Sequence, residues 1–166
     1  MKRTRFWGLA IAALAVAALC GAARADDPKA TIDGLNARLA KLGAPRIEGT
    51  DEAGERKVPA IYFGNRKINN NYDIVDEIKR SSGATATVFV KDGEEFVRVS
   101  TNVLTPEGKR GVGTPLARAK AYDGLSRGER FCGVVDVLGT SFDACYDSIK
   151  DAAGKIIGAT YIGFKR

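Results

Sequence analysis

The sequence predicts an α+β domain in which an N-terminal helix and short further helices cover an antiparallel sheet of about five to six strands. Apolar residues first recur at helical spacing, in two separate segments. Beyond Gly83 the apolar pattern changes to a period of two, and turn signals separate the strand-length segments. Helices followed by a run of strands are typical of the α+β class.

The first residues predict a signal peptide. A basic start leads into an apolar run from Phe6 to Ala23 that ends at Ala23-Arg24-Ala25, so we expect cleavage after Ala25 and a single mature domain, 26–166. A retained membrane anchor is the alternative, but the run is short for a spanning helix and rich in weakly apolar alanines. Lipid attachment at Cys20 is disfavoured because Leu19, rather than a small residue, precedes it.

Two helical patterns open the predicted mature domain. In the first, apolar residues recur at three- and four-residue steps until Gly43 and Pro45 end the pattern; they are Ile32, Leu35, Leu39 and Leu42. The second spans 71–80 and has an asparagine available as its N-cap. Between them, the glycine- and charge-rich stretch 48–57 predicts a loop, and 58–68 predicts a strand.

The first hairpin joins strand patterns 84–91 and 94–103 through Asp92-Gly93, a preferred two-residue turn. Pairing Lys91 with Glu94 sets a register with one mixed face and one apolar face. On the mixed face lie Phe89 opposite Phe96, Thr87 opposite Arg98 and Thr85 opposite Ser100. On the apolar face lie Ala86, Val88, Val97 and Val99.

A second hairpin follows the mostly polar connection 105–130, which contains a short helix around 117–125. Its turn is Leu138-Gly139, and the turn at 151–154 then leads into the last strand. The three predicted strands are 131–137, 142–149 and 155–164. The register places three pairs on one face: Phe131 with Tyr146, Gly133 with Ala144, and Val135 with Phe142.

The same register places Cys132 directly opposite Cys145, at a distance that a disulfide can bridge. They are the two cysteines that remain after removal of the signal peptide, and an even pair in a small exported domain is typical of a structural disulfide. A redox-active pair is disfavoured because the spacing is not Cys-x-x-Cys. We expect the bond on the more polar face of the hairpin, with Asp136, Ser141 and Asp143.

Charge and composition exclude several functional classes. The signal peptide carries four of the 26 basic residues and none of the 20 acidic ones, so the mature domain has a net charge of +2 with no basic block. This balance predicts no nucleic-acid partner. Histidine, the usual general base and commonest metal ligand, does not occur, and neither do the common catalytic or phosphate-binding motifs. We expect a binding protein without metal or cofactor rather than an enzyme.

Four segments taken in order carry a family resemblance. They are VDEIKRSSGATATVFVKDGEEFVRVSTNV from Val75, RGVGTPL from Arg110, FCGVVDVLG from Phe131, and ACYDSIKDAAGKIIGATYIGF from Ala144. With the leading helix, they resemble the Cache domains of bacterial chemoreceptors and sensor kinases, of the Cache 3/Cache 2 type, over most of 58–166. The resemblance implies an extracytoplasmic, PAS-like sheet behind an N-terminal helix, a small-molecule pocket on the sheet, and signalling through the chain ends.

The sequence departs from the receptor pattern because no second transmembrane helix and no cytoplasmic signalling segment follows the domain. We therefore expect a freestanding exported protein in the periplasm or outside the cell. Such a protein would act with a separate membrane signalling partner or by capturing its ligand.

A candidate ligand site lies on the mixed face of the first hairpin. Arg98 forms a donor-rich patch with Thr85, Thr87 and Ser100, beside Phe89 and Phe96. A guanidinium offers two parallel donors to a carboxylate, and adjacent rings exclude water. The alternative is a solvated outer face, on which such residues are ordinary; the Cache resemblance adds weight to the ligand site by analogy.

Further candidate ligand-binding residues are the tyrosines Tyr62, Tyr122 and Tyr146. Tyr146, like Phe131, belongs either to the core or to a pocket wall. A neutral or cationic ligand is an alternative, because the second hairpin carries three acids: Asp136, Asp143 and Asp147. Asp136 and Asp143, however, face away from the apolar side of the hairpin.

The leading hypothesis is a periplasmic small-molecule-binding sensor domain for a small organic anion such as a carboxylate. One alternative is a membrane-anchored or secreted protein-interaction partner. Another is a secreted enzyme whose catalysis rests on carboxylates, lysine or tyrosine, but the acids show no recognisable pairing.

The signal-peptide prediction can be tested on exported protein. We expect N-terminal sequencing to begin at Asp26, because Ala23-Arg24-Ala25 presents small residues at the cleavage positions. Recovery of the full-length chain in the membrane fraction would contradict cleavage and support the anchored alternative.

Overall fold

A computed structural model describes residues 27–166, and the predicted signal peptide with Cys20 lies outside them. The helices are α1 (Pro28–Ala40), α2 (Asp73–Ser82) and α3 (Lys120–Ser126), and the strands are β1 (Pro45–Ala53), β2 (Arg56–Phe63), β3 (Arg66–Lys67), β4 (Thr85–Asp92), β5 (Glu95–Thr101), β6 (Phe131–Val137), β7 (Thr140–Lys150) and β8 (Ile156–Lys165). The predicted α+β class is confirmed. No helix in this part of the chain is long and apolar enough to span a membrane.

The central sheet has five antiparallel strands in the order β5-β4-β8-β7-β6. The last strand, β8, therefore lies in the middle, with the β4–β5 hairpin on one side and the β6–β7 hairpin on the other. This arrangement agrees with the PAS-like sheet that the resemblance implies. It also brings residues from both hairpins to the same face of β8.

Two apolar clusters cover the two faces of this sheet. On the α1 face, α1, α2 and β2 pack against the sheet through Leu35, Val75 and Ile61, all fully buried. On the α3 face, α3 and the cover segment, defined here as residues 103–119, enclose an aromatic cluster. Its buried aromatic members are Phe89, Phe96, Tyr122, Phe142, Tyr146 and Tyr161.

A second sheet of three strands, β1-β2-β3, was not predicted. The predicted loop 48–57 is largely the strand β1 with the start of β2, and the predicted strand 58–68 is divided by a turn before β3. β1 is exposed over most of its length and contains an irregularity between Ile47 and Thr50. Such a strand carries no alternating apolar pattern, so the sequence gives no period-two signal.

The predicted register of the first hairpin is wrong by two residues. Its turn is Gly93-Glu94 rather than Asp92-Gly93, so that Phe89 pairs with Arg98. Gly93 has φ 56°, and glycine at the first turn position suits a type II′ turn. Because side chains alternate with a period of two, a two-residue shift leaves most of them on their predicted face.

The second hairpin has the predicted register in full, including the pairing of Cys132 with Cys145. Leu138 and Gly139 both have positive φ, at 52° and 83°, as a two-residue turn of type I′ requires. The disulfide joins the paired cysteines, whose Cα atoms are 4.1 Å apart. Cys132 is exposed, in agreement with the predicted polar face, whereas Cys145 is buried in the cluster on the α1 face.

The cover segment is held to β5 and α2. Its backbone bonds to β5 on both sides of Thr114: the amide of Gly113 donates to the Arg98 carbonyl, and that of Leu116 donates to the Phe96 carbonyl. Arg110 donates from both terminal nitrogens to Asp76 of α2, each at 2.8 Å. The segment therefore lies along β5 and closes the α3 face above it.

The disulfide should contribute to stability without determining the fold. We expect Cys132→Ala/Cys145→Ala to lower the free energy of unfolding by about 3 kcal/mol in urea titrations, because the bond closes a short loop in the unfolded chain. The hairpin pairing remains, so the far-UV circular dichroism of the variant should match that of the wild type. Two free thiols titrated in native, periplasmically produced protein would contradict the bond.

Candidate functional site

The candidate site is centred on Arg98 in β5, beneath the cover segment. Arg98 is only 3% exposed, so the alternative of a solvated outer face is excluded for this residue. Its Nη1 donates to the Thr114 hydroxyl at 2.9 Å and to the Pro115 carbonyl at 3.0 Å. These two bonds fix the guanidinium relative to the cover segment.

The charge of Arg98 has no counter-ion among residues 27–166. Its Nε is buried and has no hydrogen-bond partner there. Burial lowers the pKa of Arg98 because it disfavours the charged form, while the nearby Tyr146 and Tyr161 act in the opposite direction. A buried cation without an anion is costly, which marks this position as unusual.

Aromatic rings lie near the guanidinium. The Cζ of Arg98 lies 5.0 Å from the centre of the Phe89 ring, within the range of a cation–π interaction. Tyr146 and Tyr161 have ring centres 4.9 Å apart, and Phe89 lies 6.5 Å from Tyr146. Burial raises the pKa of both tyrosines, so both phenols stay protonated and able to donate a hydrogen bond at neutral pH.

Threonine hydroxyls complete the polar side of the site. Thr85 Oγ1 lies 3.1 Å from the Tyr161 hydroxyl, and Thr87 Oγ1 lies 2.6 Å from Thr101 Oγ1. Gly163 leaves room for the Tyr161 hydroxyl, because a Cβ at that position would collide with it. The ring of Tyr161 is therefore positioned by its neighbours on β4 and β8.

A cavity of about 440 Å³ opens between α3 and β6 and reaches Tyr146. Leu116, Lys120, Phe131 and Val135 are among the residues that line it. Tyr146 lines this cavity and also belongs to the cluster around Arg98, whereas Arg98 itself does not line the cavity.

Most of the predicted site residues lie together on the α3 face. Arg98, Thr87, Phe89, Phe96 and Tyr146 are all buried there, and Thr85 bonds to Tyr161 at its edge. Tyr122 lies on α3, donates its hydroxyl to the Glu94 carbonyl at 2.6 Å, and packs edge-on against Phe96. Tyr122 therefore helps to hold α3 on the sheet.

Two predicted site residues lie elsewhere. A β-bulge between Val88 and Phe89 places Ser100 opposite Val88, and its hydroxyl donates to the Asn71 carbonyl at 2.6 Å. The bulge also brings Thr101 opposite Thr87, where the predicted register had placed Arg98. Tyr62 belongs to β2 in the smaller sheet, where the guanidinium of Arg46 stacks on its ring.

The acidic residues of the second hairpin do not face Arg98. Asp143 is exposed, and Asp136 accepts a hydrogen bond from the Gly139 amide at the cavity rim. Asp147 bonds to Arg130 and to Asn36 on the α1 face. The groups beside Arg98 are thus neutral donors and aromatic rings, a set suited to an anion.

Sequence reasoning did not identify Tyr161 or Thr114 as site residues. Tyr161 of β8 pairs with Tyr146 of β7. A predicted register for these two strands would have placed Tyr161 beside Tyr146, which was already a candidate. Thr114 lies in an irregular segment, where no periodicity shows which strand it will lie beside.

Comparison with known proteins identifies the family of this domain. A search of curated proteins gives no match. The profile of the Cache 3/Cache 2 fusion domain matches residues 35–166, which include the central sheet, the smaller sheet and the cover segment. The chain therefore belongs to the Cache 3/Cache 2 fusion domain family, whose domains generally serve as extracytoplasmic sensors that bind small molecules.

Proposed function

We propose that this domain binds a small organic anion such as a carboxylate in the periplasm or outside the cell, with Arg98 as its anchor. The observation that carries the proposal is the buried guanidinium of Arg98, which has no acidic partner in the described chain and a buried Nε without a hydrogen-bond partner. An anion placed there would compensate the charge and occupy the free donor.

The surroundings of Arg98 favour an anion over other ligands. Nη1 is already held by Thr114 and Pro115, so the guanidinium is oriented before a ligand arrives. The protonated phenols of Tyr146 and Tyr161 add donors, and Phe89 excludes water. An amine would meet a cation at the centre of this site, which is unfavourable at short range.

A ligand would approach this position from the cavity between α3 and β6, which Tyr146 lines and Arg98 does not. A ligand in the cavity would contact Tyr146, and reaching Arg98, which is 3% exposed, would require the surrounding side chains to rearrange. The domain would act either in signal sensing or in ligand capture. In signal sensing, a separate membrane protein would receive the signal. Neither role requires turnover of the ligand.

Substitutions of Arg98 test the proposal by calorimetry. The probe is whichever of acetate, propionate, lactate, pyruvate and succinate raises the melting temperature most. We expect Arg98→Met to weaken its binding by about 2 to 5 kcal/mol, because the anion loses its charged partner. Arg98→Lys keeps the charge but loses the planar pair of donors, so it should also bind more weakly than the wild type.

Arg118→Ala is the matched control, because Arg118 is an exposed arginine of the cover segment that stacks on Tyr122. It removes one arginine charge from the cover segment above the site, rather than from β5, and should leave the affinity nearly unchanged. Circular dichroism must first establish that each variant is folded. Unchanged affinity in folded Arg98→Lys and Arg98→Met would remove Arg98 from the site.

A further inference from the structure

We infer that Asn36 couples the Arg98 site to helix α1, so that occupancy of the site changes how α1 is held on the sheet. The inference rests on the proposed function for the identity of the site. It also concerns a property of the ligand-free protein, which can be measured separately.

The coupling starts from two neighbouring residue pairs of β7 and β8. Tyr146 pairs with Tyr161, and both rings lie in the aromatic cluster on the α3 face. The next pair along, Asp147 with Thr160, points to the α1 face. The tyrosine pair and the Asp147–Thr160 pair are therefore joined directly by the backbone on each strand, and a movement of one would act on the other.

Asn36 of α1 binds both members of this second pair. Its Nδ2 donates to Asp147 Oδ2 at 3.0 Å, and its Oδ1 accepts from the Thr160 hydroxyl at 2.8 Å. Thr160 is 1% exposed, so its hydroxyl depends on this bond rather than on water. The two hydrogen bonds of the Asn36 amide therefore depend on the relative position of β7 and β8.

Arg130 reinforces the attachment one helical turn away. Its Nη2 donates to Asp147 Oδ2 at 2.6 Å and to Asp33 Oδ1 of α1 at 2.7 Å. The following residue, Phe131, packs on Tyr146 with ring centres 6.4 Å apart and lines the cavity. The polar attachment of α1 therefore involves strand positions directly adjacent to the candidate site.

Thermodynamic linkage makes such coupling reciprocal. If a ligand bound at Tyr146 and Tyr161 changes the strength of the Asn36 hydrogen bonds, then removing those hydrogen bonds changes the conformation of the two tyrosines. The second half of this statement can be tested without any ligand.

The ligand-free test uses protein labelled with ¹³C in its tyrosine rings. Each of the five tyrosine signals is assigned by substitution with phenylalanine. We expect Asn36→Ala to shift the signals of Tyr146 and Tyr161 and to leave those of Tyr62 and Tyr72 in place. Asn36→Asp, which keeps the size of the side chain but opposes Asp147 with a like charge, should shift the same two signals.

Arg38→Ala is the control, because Arg38 lies on the same helix but pairs with Glu77 of α2. It should leave the signals of Tyr146 and Tyr161 unchanged. Folded Asn36→Ala and Asn36→Asp proteins with wild-type signals for both tyrosines would overturn the coupling. The coupling would also be overturned if Arg38→Ala shifted the two signals as strongly.

The second test adds the carboxylates named above, one at a time, and follows amide hydrogen exchange in α1 and α2. A carboxylate that raises the melting temperature should change exchange in α1 more than in α2, and Asn36→Ala should abolish this difference. A carboxylate that binds without a specific change in α1 would overturn the coupling while the proposed function stands. If none binds, the proposed function fails, and the tyrosine signals alone decide the coupling.

Discussion

The central physical feature of this domain is the buried guanidinium of Arg98, for which residues 27–166 supply no acidic partner. A guanidinium removed from water is tolerated only where its donors find acceptors, and Arg98 finds them in the hydroxyl of Thr114 and the carbonyl of Pro115. The cover segment must therefore lie along β5, and it is held there by backbone bonds on both sides of Thr114. The buried Nε, which has no hydrogen-bond partner among residues 27–166, makes the enclosed space complementary to an anion.

The strand order of the central sheet explains why the candidate site and the aliphatic core lie on opposite faces of it. Because β8 lies between β4 and β7, Arg98, Phe89, Tyr146 and Tyr161 from four strands meet on one face. The opposite face is closed by α1, α2 and β2 with aliphatic side chains. Successive side chains of β7 and of β8 point to opposite faces of the sheet. The candidate site and α1 are therefore separated by the thickness of a single sheet.

The sequence predicts the regular hairpins of this fold. It does not predict the features whose position depends on tertiary contacts. The second hairpin was predictable in full, including the cysteine pair, because its strands are regular on both sides of Leu138-Gly139. In the first hairpin, Gly93 can occupy either position of a two-residue turn, and the bulge that moves Ser100 leaves no local signal. β1 is exposed and shows no period, while Thr114 reaches Arg98 only because the cover segment folds back along β5.

A thermal-shift comparison can show whether an anion completes the Arg98 site. Small carboxylates are each measured beside the amide and the amine with the same carbon skeleton, so that shape is matched and charge is varied. A ligand that binds only the folded state raises the melting temperature. We expect at least one carboxylate to do so while its amide and amine do not. Stabilisation by the amines instead, or by none of the carboxylates, would contradict it.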